Sequence, residues 1–168
     1  MQIIDNKALL LRLRDPDKVI NAIPKSKAVG NNQVVVNWGL EEARSLNRLG
    51  IKSPSPIEAK YTWTGRYKPF DHQVSTASFL TLHQKGFCFN EQGTGKTASA
   101  IWASDFLMKQ GVINRVLVVC PLSIMDSAWR DDLFTFATHR TVSVAHGSAD
   151  KRKTVSYTHL RAHETSLH

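Results

Sequence analysis

The chain has 168 residues, with 22 Lys and Arg against 14 Asp and Glu for a net charge of +8, and 42% hydrophobic residues; that suits one ordinary domain, or a small domain plus part of a larger one, and excludes two full-sized lobes. Such a foldable, basic composition favours polyanionic partners. No stretch approaches the roughly 18 apolar residues of a membrane span, Arg12 and Arg14 interrupt the first apolar run too early for a signal peptide, and Cys88 and Cys120 lie in short apolar runs without CxxC spacing, so the expectation is a soluble cytoplasmic protein with reduced, buried cysteines.

The first third reads as a small α+β unit, residues 1–56. "ALLLRLR" at 8–14 ends in Leu/Arg alternation and predicts a half-buried strand. Asp15 and Pro16 then supply a cap and a first-turn proline for a short helix through Ala22. A turn at Gly30, Asn31 and Asn32 leads to a second strand, "QVVV". Asn37 is placed to cap a helix with Glu41 and Glu42 in its first turn, an apolar set at Leu40, Ala43, Leu46 and Leu49, and Gly50 as terminator. "SPSP" at 53–56 breaks the pattern, since each proline restricts its predecessor and lacks a backbone donor. A linker and an aromatic segment, 57–69, follow.

From Asp71 the order becomes helix, strand, loop, helix, strand, helix, strand. The first helix spans 71–85 and the first strand is "FCF" at 87–89. A helix then starts in the glycine loop and stops near Gly111, and "VLVVC" at 116–120 has the composition of a fully buried strand. Met125, Trp129, Leu133 and Phe136 share one helical face, and "TVSVA" alternates as a third strand. Strands and helices alternating at these lengths predict a parallel sheet with right-handed crossovers, hence an α/β fold for 70–155.

"NEQGTGKT", 90–97, carries the chemistry. Glycines let backbone N–H groups turn around phosphates, a lysine reaches the outer phosphates, and the following hydroxyl holds magnesium. Gly93, Thr94, Gly95, Lys96, Thr97 and the amide of Ala98 provide these parts, although Asn90 stands where the strict pattern has its first glycine. Chance alone produces G-x-G-K-[ST] in a chain of this length on the order of one time in a hundred. The strand before this loop and the helix after it, with Ala98, Ile101, Trp102 and Phe106, are the setting the motif requires.

Three stretches together, "KPFDHQ" at 68–73, "NEQGTGKT" and "VLVVCPLSIMDSAW" at 116–129, resemble the ATP-binding lobe of superfamily-two helicases, most closely Swi/Snf-type DNA translocases of phage or bacterial character. The resemblance covers roughly 68–153 and implies a partial RecA-like lobe that binds ATP and Mg and acts on DNA, double-stranded in this family. An acidic pair usually opens the family's loop, so Asn90 and Glu91 depart from it only by Asn for Asp. Gln73 matches the glutamine that recognises adenine, for which an amide offers both a donor and an acceptor. Standing alone, it would read as an exposed helix residue. Phe70 and Tyr67 are equally stacking partners for the base or packing residues. Pro121, Leu122 and Ser123 match a motif that approaches the nucleic-acid backbone, with Ser123 also suited to ordinary capping.

The family's hydrolysis requires an adjacent Asp-Glu pair on a later strand and arginines from a second lobe. No adjacent Asp-Glu occurs in the sequence. The expectation is an N-terminal fragment that binds nucleotide at Lys96 and Thr97 and is inactive alone, its parent being a DNA-dependent ATPase whose C-terminal lobe is missing here. The last stretch, 156–168, departs from the family and resembles translated sequencing-adapter read-through, and its removal leaves the charge at +8. The competing readings are a non-catalytic nucleic-acid-binding module and another P-loop NTPase.

Overall fold

Alternation along "ALLLR" and "QVVVN" places Leu9, Leu11, Val34 and Val36 on one face, and all four are fully buried there. The computed structural model, which describes residues 1–30 and 32–153, builds a four-stranded antiparallel sheet around them. Its strands are β1 (Gln2–Ile4), β2 (Ala8–Arg12), β3 (Lys27–Ala28) and β4 (Gln33–Asn37), in the order β1-β2-β4-β3. Asp5 and Asn6 both take positive φ in the β1–β2 hairpin, a turn whose twist matches the strands it joins. α1 (Asp17–Ala22) and α2 (Leu40–Arg48) contribute Val19 and Leu46 to the same core, which also holds Ile23 and Trp38. Asp15 does not cap α1, whose N-cap is Pro16 without a side-chain bond, and Asn37 does not cap α2. It closes β4, and the cap is Gly39, against which the Glu42 side chain folds back.

The "SPSP" stretch is a packed seam. Ser55 is buried and shares a 2.7 Å hydrogen bond with Thr81, while the Trp38 indole donates to the Pro54 carbonyl at 3.0 Å. Fixed proline φ angles suit a rigid extended crossing as well as a loose one, and here side chains from both flanking units hold it. The guanidinium of buried Arg44 on α2 adds two bonds to the Thr81 carbonyl, at 3.0 and 2.8 Å.

The second core lies between α4 (Asp71–Leu82) and α5 (Lys96–Lys109), with Ile57 of α3 (Ile57–Lys60), Tyr61, Ala77, Ala98, Trp102 and Phe106 at its centre. Trp63 and Phe136 pack edge-on against Trp102, at 5.5 and 5.1 Å between ring centroids, a favoured aromatic geometry. The aromatic segment threads between α5 and α7 (Asp131–Phe136): Trp102 donates to the Thr64 carbonyl, Thr64 to the Phe136 carbonyl, and Arg66 N–H to the Thr135 carbonyl. Three residues, Leu122–Ile124 (α6), and a wide π-helical turn, Met125–Arg130, lead into α7 and keep Met125, Trp129, Leu133 and Phe136 half-buried.

The expected parallel sheet is not formed among the described residues. The runs 87–89, 116–120 and 141–145 are extended and belong to no strand of the sheet. Phe87, Phe89, Leu117 and Val119 are 82, 89, 87 and 89% exposed rather than buried, and Cys88 and Cys120 are half-buried. Apolar composition specifies a strand that would be stable when covered; it does not supply the neighbouring backbone that pairing requires.

Candidate functional site

Positive φ at Gly93 (+79°) and Gly95 (+74°) bends "NEQGTGKT" into a loop that closes on the first turn of α5. Gly95 caps that helix without a side-chain hydrogen bond, and no acidic residue stands in its first turn. The helix's first internal backbone bond runs from Ser99 N–H to the Gly95 carbonyl at 3.1 Å. The amides of Lys96, Thr97 and Ala98 therefore face the loop without an intrahelical partner, and the helix end presents its positive pole there. This is a donor set for an anion.

Lys96 reaches across the same mouth. Its ammonium donates to the carbonyls of Asn90 (2.9 Å) and Glu91 (2.8 Å), and the Thr94 hydroxyl also donates to Glu91, at 2.8 Å. Thr97 follows at the next position. Ala98 is buried beneath the loop, so only its backbone is available to a ligand. Among the described residues no group of three or more His, Cys, Asp or Glu is placed to cage a metal.

Gln73 is brought to the loop. Its carbonyl accepts from Phe70 N–H at 3.0 Å, and its NH2 group points to the Thr94 carbonyl at 3.4 Å. It packs so closely on Gly95 that a side chain there would collide with the amide. Phe70, 68% exposed, stacks on His72 with centroids 5.7 Å apart and planes 10° apart; Tyr67 lies instead beside Phe136. Pro121 and Ser123 sit at the start of α6, exposed, and make no hydrogen bond to the loop. Lys151, Arg152 and Lys153 are also exposed, and the expectation for 156–168 lies outside the described residues.

Two residues absent from the sequence reading meet the loop. His72 Nε2 contacts the Thr94 carbonyl at 3.0 Å, and the Asn90 side-chain amide donates to Thr76 Oγ1 at 2.8 Å. With Gln73 they occupy positions i, i+1 and i+4 of α4, one side of one helix turn. That spacing was visible in the sequence, but what lies opposite it was not.

At the other end of α5, Asp105 is 2% exposed and accepts from Tyr61 (2.7 Å), Lys109 (2.9 Å), His139 (2.7 Å) and Arg140 (2.6 Å). Burial alone would raise its pKa, but bonds from Lys109, Tyr61, His139 and Arg140 outweigh it and hold the carboxyl well below the usual range. Burial, with the Asp105 charge adding to it, pushes the Tyr61 phenol above its ordinary value, so it remains a donor. This hub fastens the segments flanking α5 and stands apart from the loop.

The chain was also compared with known proteins. A family model described as an SNF2-related domain matches residues 32–166, from just before β4 through the glycine loop and past α7. No curated protein and no solved structure matches. No helix among the described residues is long and apolar enough to cross a membrane.

Proposed function

Because the chain belongs to the SNF2-related domain family, whose members are ATP-dependent and helicase-like, we propose that it is the N-terminal, ATP-binding part of a DNA translocase, of phage or bacterial type and acting in the cytoplasm. The observation that carries this is the bent loop with unpaired amides of α5 on one side and the Lys96 ammonium on the other.

Each residue has a definite task in this reading. The amides of 93–98 bind the phosphates. Lys96 exchanges the carbonyls of Asn90 and Glu91 for the outer phosphates, which offer it full negative charge. The Thr97 hydroxyl holds magnesium, which when bound screens the phosphate charge. Gln73, fixed against Gly95, presents its NH2 group at the loop rim for the adenine edge. Pro121 and Ser123, together with the net charge of +8, serve the DNA backbone, and duplex DNA is the expected substrate. The sequence holds no adjacent Asp-Glu pair, so the carboxylates that orient the attacking water, and the second lobe, come in this reading from residues outside these 168.

The test is binding of Mg·ATP to the wild type and to Lys96→Ala, followed by titration with duplex DNA at several salt concentrations. The wild type should bind nucleotide, Lys96→Ala should lose about tenfold or more, equivalent to about 1.4 kcal/mol, and phosphate release should not be sustained. DNA affinity should fall steeply with salt. DNA binding that ignores both ATP and Lys96→Ala would favour a plain nucleic-acid-binding module. Sustained, DNA-stimulated turnover would overturn the claim that hydrolysis needs further residues.

A further inference from the structure

α4 grips the glycine loop at both ends. At the far end, His72 and Gln73 reach the Thr94 carbonyl. At the near end, the Asn90 amide donates to Thr76 Oγ1 across 2.8 Å, and Thr76 Oγ1 donates in turn to the His72 carbonyl, also across 2.8 Å. A hydroxyl has a single proton. With that proton directed back into its own helix, Thr76 offers residue 90 only lone pairs, so residue 90 must bring a donor. An amide does so; an ionised carboxylate does not. The backbone carbonyl of Asn90 is one of the two that hold the Lys96 ammonium.

We infer that Thr76 and Asn90 form a clasp of fixed polarity that positions the phosphate loop, and through it Lys96, for a nucleoside triphosphate. The ligand in this statement rests on the function proposed above; the clasp itself rests on geometry alone. Neither side chain is among the groups assigned to phosphate. Both are positioning residues: they hold the strand-to-loop junction against α4, so that the bend exists before the nucleotide arrives and less ordering accompanies binding. The donor that Asn90 brings to the loop is thus matched by a hydroxyl acceptor 14 residues earlier in the chain.

The experiment follows amide hydrogen exchange across residues 91–96 in the nucleotide-free protein, with Mg·ATP affinity as a second readout. The variants are Thr76→Val, Thr76→Ser, Asn90→Asp and the Asn90→Asp/Thr76→Val pair. Thr76→Val and Asn90→Asp should each speed loop exchange and weaken Mg·ATP by about fivefold at pH 7, the worth of one hydrogen bond. Thr76→Ser keeps the hydroxyl and should stay within about twofold of wild type. The double variant should be no worse than either single one.

Asn90→Asp alone should acquire a pH profile, with protection and affinity returning as pH falls towards about 4, because a protonated carboxyl again offers Thr76 an O–H. Protection and affinity are read as ratios to wild type at each pH, which removes everything the proteins and the nucleotide have in common, and that ratio should be flat for the double variant. An Asn90→Asp protein that behaves as wild type at every pH would overturn the polarity, and strictly additive single variants would overturn the clasp. Thermal melts check folding; Thr76→Ser and Asn90→Asp, which leave little or no cavity, decide the matter if Thr76→Val does not fold. Wild-type protein that shows the exchange pattern but binds no Mg·ATP keeps the clasp and loses the ligand, which separates the two failures.

Discussion

Gly65 shows how much a single residue decides. It adopts φ +98°, and a Cβ there would sit 2.5 Å from the Thr135 carbonyl oxygen and 2.6 Å from Phe136 Cα. Both obstacles are backbone and cannot rotate away. Gly65→Ala should therefore destabilise by about 2 kcal/mol or more, combining the left-handed penalty with overpacking, and urea unfolding measures it. A loss under about 0.5 kcal/mol, the size of an ordinary surface change, would mean that the aromatic segment does not run against α7. At the loop, the bend at Gly93 and Gly95 was legible because φ > 0 is a local demand that glycine meets. His72 and Thr76 were not legible, because their role depends on what α4 faces across 22 and 14 residues of chain.

Among the elements, α5 is the axis. Its N-terminus closes the glycine loop and its C-terminal turns carry Asp105, where Tyr61, Lys109, His139 and Arg140 converge. Asp105→Asn would leave the Lys109 and Arg140 charges beside a neutral amide, with an expected cost of roughly 3 kcal/mol near neutral pH. The pH dependence has a definite sign. A carboxyl whose folded pKa is depressed adds stability above its ordinary pKa, and that stability is lost as pH falls below about 4 towards the depressed value. Melting temperatures between pH 7 and pH 2 should thus drop more for the wild type than for Asp105→Asn; parallel curves would remove Asp105 as the source. The helix itself was legible from its capping glycine and apolar residues. The hub was not, since an Asp in a helix normally faces solvent and its partners come from 34, 35 and 44 residues away as well as from the next turn.

For the whole molecule, the notable surface is the pair of bare apolar runs. Phe87 and Phe89 stack on each other at 5.8 Å, and Leu117 and Val119 point the same way along an extended, unpaired stretch. Apolar backbone with free N–H and C=O groups templates intermolecular pairing. The isolated 168-residue chain should therefore self-associate, and Leu117→Lys/Val119→Lys should shift it towards monomer in sedimentation velocity while leaving the melting temperature within a few degrees. A wild-type chain that stays monomeric at high concentration would show that these runs are covered in solution.

The sequence by itself determined the features that depend on near neighbours. The Leu/Val alternation of β2 and β4, the proline start of α1, the glycine end of α2 and the bend at Gly93 and Gly95 are each set within a few residues, and periodicity or a φ requirement is enough to specify them. Only the tertiary structure decided that Ser55, Ile57, Tyr61 and Trp63 of the expected linker pack into the interior, that α4 presents His72, Gln73 and Thr76 to the loop, and that the apolar runs stand unpaired. Those outcomes depend on which surfaces meet across up to 72 residues of chain, and burial and pairing are properties of both partners, whereas composition describes only one.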